Sequence, residues 1–138
     1  MNREILQRVC RQRKQESAAL LRARMFPGAY YLAGYAVECA LKACVARQTN
    51  RFDFPNKKLA AEAWTHDLQK LVQLAGVWPD LERDMETSAA LQLNWVIVKD
   101  WSEAVRYDTS ITKAQARDLY SACTTRRAGI LPWIRRRW

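Results

Sequence analysis

A chain of 138 residues with 49% hydrophobic and 27% charged side chains has the length and mix of one compact domain, too short for two independent cores. Four glycines and four prolines are too few for a turn-rich β fold. No run of roughly 18 uncharged apolar residues is present, because the best candidate, Met25 to Val45, carries Glu38 and Lys42. The formal charge of +9 sits at the ends: residues 1–24 hold seven basic and two acidic side chains, residues 113–138 seven and one, and the middle nine and eleven.

These numbers set the first expectations. If the first and last helices pack side by side, their cations add into one patch that attracts phosphate backbones; otherwise they are solvated or meet an acidic partner. Met1-Asn2-Arg3-Glu4 has no apolar segment behind it, so a cytoplasmic protein without a membrane span is expected. Cys10, Cys39, Cys44 and Cys123 form no C-x-x-C pair, and His66 is the lone imidazole, so no metal site is expected. Cys39 and Cys44 fall in the most apolar stretch and read as small buried hydrophobes. No phosphate-cradling, dinucleotide-binding, zinc-protease or serine-hydrolase signature occurs, and no cofactor is expected.

In chain order, Asn2 to Arg24 lacks Gly and Pro and carries a broken apolar stripe, which predicts a first helix. Pro27-Gly28 restarts the chain, with Pro27 suited to a first turn, and predicts a central helix to about Gln48. Its small residues Ala29, Ala33, Gly34, Ala36, Ala40 and Ala43 allow close backbone approach. Residues 51–56 lack a helical period and read as a loop, and Lys58 to Trp64 adds a short helical turn. Thr65 precedes His66-Asp67-Leu68 at the start of a third helix that Gly76 ends. Pro79-Asp80 opens a fourth helix with Leu81, Met85, Ala89 and Trp95 on its apolar side; Trp95 to Val98 is helical or irregular, since no partner strand exists. Thr112-Lys113-Ala114-Gln115 has the form of a capping box, so a last helix begins at Lys113 and runs to about Arg127 or beyond, with Gly129 and Pro132 kinking or ending it. The tail Trp133-Ile134-Arg135-Arg136-Arg137-Trp138 either binds nucleic acid or packs two tryptophans on the bundle.

Chemistry concentrates in two places. Glu38 and Lys42 are the only charged residues between Arg24 and Arg47, and with Tyr31 and Tyr35 they share one helix face. The pair either bonds to itself and to partners on other helices, or lines a cleft. The second place is Arg106-Tyr107-Asp108, a loop where a guanidinium reaches phosphate or ties the loop to Glu38 or a helix end. His66 reads as a residue that holds its helix start.

The order of Tyr31-Leu32-Ala33-Gly34-Tyr35-Ala36-Val37-Glu38-Cys39-Ala40-Leu41-Lys42-Ala43, Thr65-His66-Asp67-Leu68, and Trp101-Ser102-Glu103 with Arg106-Tyr107 resembles the signatures of HEPN domains. The likeness spans roughly residues 14–130 of one domain over 1–138, with a basic N-terminal extension and an Arg/Trp tail outside it. It implies an all-α fold, an up-and-down four-helix bundle with an additional short helix, like nucleotidyltransferase substrate-binding domains. It further implies a homodimer with a polar cleft, formed here by Tyr31, Tyr35, Glu38, Lys42, Arg106 and Asp108. Members of that family act in toxin–antitoxin and defence systems, as RNA- or nucleotide-binding modules, as partners of a minimal nucleotidyltransferase, or as metal-independent ribonucleases whose arginine is followed a few residues later by histidine. Here the matching window, Ile111 to Lys113, holds no histidine. A binding module is therefore the expectation, with a ribonuclease using Arg106 beside Tyr107, Asp108 or Lys113 as the alternative.

Overall fold

The computed structural model describes residues 2–49, 54 and 56–138, and every regular element among them is helical. In chain order these are α1 (Arg3–Arg22), α2 (Phe26–Arg47), α3 (Lys57–Glu62), α4 (Leu68–Leu74), α5 (Trp78–Glu86), α6 (Ala89–Lys99), a 3-10 turn (Glu103–Tyr107), α7 (Lys113–Thr124) and α8 (Ile130–Arg135). None of the helices is long and apolar enough to cross a membrane, among the described residues. The loop expected over residues 51–56 lies mostly outside the described residues.

Helix α2 organises the core. Pro27 stands in its first turn, where the missing N–H costs nothing, and its alanines let α1, α4, α7, α8 and the 3-10 turn approach it closely. Ala29, Ala36, Val37, Ala40, Leu41 and Ala43 are fully covered. Gly34 is the tightest contact: a Cβ there would lie 2.3 Å from three atoms of the buried Trp101 indole, so the ring rests on bare backbone.

Local chemistry explains the ends. Asn2 accepts from Ile5 N and caps α1; Thr112 and Gln115 form the expected reciprocal capping box on α7. Gly76 ends the α4 region with φ +70, a left-handed conformation that suits glycine. Two expectations need correction. The expected fourth helix is two helices, because the Ser88 hydroxyl accepts from Leu91 N in an extended conformation and starts α6 anew, which leaves Ala89 exposed. The expected last helix stops at Thr124, where Thr125 turns extended, and Gly129 N-caps α8 with Pro132 in its first turn. Asp67 caps α4, since its Oδ1 accepts from Gln69 N and Lys70 N. Trp95 to Val98 is helical within α6.

The tail packs. Trp133 is buried, donates through Nε1 to Asp84 Oδ2 at 2.9 Å, and carries the Arg137 guanidinium 3.7 Å above its ring. Arg137 also reaches Asp84 at 3.2 Å and Asp80 at 3.5 Å, so α8 is clamped to α5. The Trp133 indole, then Arg137 and Arg83, hold the Asp84 carboxyl below its ordinary 3.8. A carboxyl depressed in the folded chain contributes stability above its unfolded value and loses it as pH falls through the folded one. Asp84→Asn should therefore lower the urea midpoint at pH 7, and the gap to the parent should close below about pH 3.8. A gap of the same size at pH 2.5 would show that charge has no part in the clamp.

Candidate binding cleft

The tyrosine and carboxylate stripe of α2 lies where the sequence places it. Tyr31 and Tyr35 stack in parallel with centroids 6.0 Å apart, and Tyr31 continues the stack onto Trp101 at 6.1 Å. Burial, then Cys39 and Glu38, pushes the Tyr35 phenol up, so it stays a neutral donor at neutral pH. One turn further on, Glu38 is only 2% exposed and accepts from Lys42 Nζ at 2.8 Å.

Glu38 has a second partner that spacing along the chain does not reveal. His66 Nδ1 lies 3.0 Å from both of its oxygens. A carboxylate offers only acceptors, so Nδ1 is the donor of this half-exposed ring. The imidazole thus does more than hold its helix start, the role expected for it: it joins α2 to the segment before α4. With an ammonium and an N–H on one buried carboxylate, the desolvation of Glu38 is offset. His66 was missed because Glu38 and His66 are 28 positions apart, and no periodicity links a helix to the loop two elements later.

His66 also lines an open groove of about 380 Å3 between the start of α4 and the α6 end, with Thr65, Asp67, Lys99, Trp101 and Glu103 on its walls. Asp67, Asp100 and Glu103 outnumber Lys99 there, so this groove is not built for phosphate.

Arg106 is in the 3-10 turn rather than a loop, and its guanidinium is exposed, 4.9 Å above the Tyr107 ring. The phenols of Tyr107 and then Tyr31 raise it above its ordinary value. It therefore borders the tyrosine end of the stripe and makes no ion pair with Glu38. Asp108 is turned to its own loop, accepting from Ser110 N at 2.8 Å and Ser110 Oγ at 2.6 Å, which holds it below its ordinary value. Lys113 is the exposed first residue of α7 and joins none of these groups.

Tyr31, Tyr35 and Arg106 thus form one end of a polar strip, Glu38, Lys42 and His66 the other, while Asp108 and Lys113 stay apart. No family model, curated protein or solved structure matches the chain. Among the described residues no cluster of His, Cys, Asp and Glu has the arrangement of a metal site. All four cysteines are free and buried, and burial pushes Cys10 and Cys44 up to about 11 and Cys39 up to about 12, so thiolate chemistry is suppressed.

Proposed function

We propose that this chain is a HEPN-type helical module, a four-helix bundle with added short helices, that binds RNA or a nucleotide without cleaving it. On this reading it works as a homodimer in the cytoplasm, in a toxin–antitoxin or defence-type system, with a minimal nucleotidyltransferase as its protein partner. The observation that carries it is the strip itself. A stacked pair of phenol rings next to an exposed guanidinium offers a face for a nucleobase and a cation for its phosphate. Glu38, Lys42 and His66 hold that face in place by tying α2 to α4.

The same arrangement argues against turnover. Metal-independent RNA cleavage is best served by a group that exchanges a proton near neutral pH beside the phosphate-binding arginine; a phenol, Tyr107, stands there instead, and the sole imidazole is bonded to Glu38 in an acidic groove. The test is binding of labelled single-stranded RNA and of mononucleotides at low salt, with Arg106→Ala beside the parent. Arg106 is exposed, so the variant should fold as the parent does. Binding should weaken by roughly tenfold, in line with the loss of one charge-assisted contact, while the RNA stays intact with both proteins. Cleavage by the parent that disappears in Arg106→Ala would replace this reading by the ribonuclease one.

A further inference from the structure

The two basic ends of the chain meet. Arg3 Nη2 donates to the Trp138 main-chain oxygen at 2.6 Å, and the guanidiniums of Arg11 and Arg135 lie 5.2 and 5.7 Å from the centroid of the Trp138 ring. From α2, Arg47 Nη1 donates to the Arg137 carbonyl at 2.7 Å. The two buried thiols beneath this surface feel the same cations: Cys10 is influenced by Arg135, Arg11 and Lys14, and Cys44 by Arg47, Arg3 and Arg137. Among the described residues, no side-chain carboxylate pairs with Arg3, Arg11, Lys14, Arg47 or Arg135. The carboxylates Asp80 and Asp84 are engaged by Arg83 and Arg137, and Glu16 by Arg13.

From this convergence we infer that the face shared by α1 and α8 is a second, phosphate-backbone binding surface for single-stranded RNA, separate from the tyrosine strip. It rests on the RNA-binding reading and places most of its affinity elsewhere than at Arg106. On α1, Arg3, Arg11 and Lys14 stand on one side of the helix over about 16 Å, a length along which a strand presents several phosphates. Gln7 lies between them on that side and Glu4 borders it, while the apolar side of α1, with Leu6 and Cys10, is buried. A membrane-surface helix needs the reverse, a free apolar face to insert, which sets a lipid surface aside. Because two guanidiniums already engage the Trp138 ring, it fixes them rather than offering a free stacking face, so the surface reads charge and not base identity.

The measurement is the salt dependence of binding to a labelled single-stranded RNA of mixed sequence. A variant with Arg3, Arg11, Lys14 and Arg135 changed to Gln is compared with one in which Lys57, Lys58, Lys70 and Arg117, all exposed, are changed to Gln. Both lose the same net charge, and circular dichroism checks that both fold. With about 0.7 counterions released per single-strand phosphate contact, the first variant should show a log–log salt slope shallower by about 3, and the second a slope near that of the parent. Equal slopes for the two variants would overturn the assigned surface while leaving RNA binding intact. Absence of RNA binding by the parent at low salt would sink the function reading, and this surface with it. Parent protein that floats with phosphatidylserine vesicles yet ignores RNA would replace the RNA by a lipid surface and so overturn the inference.

Discussion

Gly34→Ala should destabilise the chain by about 2 kcal/mol or more, although alanine is the better helix former by about 1 kcal/mol. The reason is the Trp101 indole, which lies against Gly34 and is itself buried, so a Cβ placed 2.3 Å from three ring atoms cannot be relieved by moving the ring outward. Trp101→Ala alone should cost about 3–5 kcal/mol through the cavity it opens. In that background the clash is gone, and the propensity gain remains. Gly34→Ala should therefore change sign and become stabilising, a reversal that urea unfolding of the four proteins in a double-mutant cycle measures directly. Additive effects would mean that the ring and the glycine do not touch.

The second large effect is expected at Lys42. Glu38 is 2% exposed, and removing the ammonium 2.8 Å from its Oε1 leaves a buried carboxylate with His66 as its remaining partner. Lys42→Ala should cost about 3 kcal/mol, the lower end of what a broken buried ion pair costs, because the imidazole still donates. His66→Ala should cost less, since that ring is half exposed. Replacing both charges together, with Glu38→Leu and Lys42→Met, should recover most of the loss, as an apolar pair of similar volume needs no compensation. Urea midpoints at neutral pH check all three, and a Lys42→Ala midpoint equal to that of the parent would show that Glu38 is solvated.

Much of the all-helical architecture was readable along the chain because helices are written in local signals. The Pro27 start, the Gly76 stop and the Thr112 to Gln115 box act within one turn, and each falls where expected. The misreadings are at Ser88 and Thr125, where a single hydroxyl or one extended residue decides whether a helix continues, and where the apolar period runs on across the break. The polar strip was half legible. Tyr31, Tyr35, Glu38 and Lys42 repeat at a helical interval, so their common face follows from periodicity. The approach of His66 to Glu38, and of Arg106 to Tyr31 rather than to Glu38, depends on how α4 and the 3-10 turn dock on α2, which no local pattern encodes. The meeting of the two basic ends was conditional on the same docking, and Trp138 settles it by contacting Arg3 and Arg11.

Helix α2 touches four other helices, and twelve of its residues are buried. Such a helix has almost no latitude for variation, because nearly any enlargement must displace a neighbour that is itself hemmed in. Its partly exposed tyrosines are the main openings. Engineering a new specificity into this scaffold is therefore best begun at those few places and on the short elements that overhang them, where exchange of one side chain alters what is recognised without disturbing what holds the molecule upright.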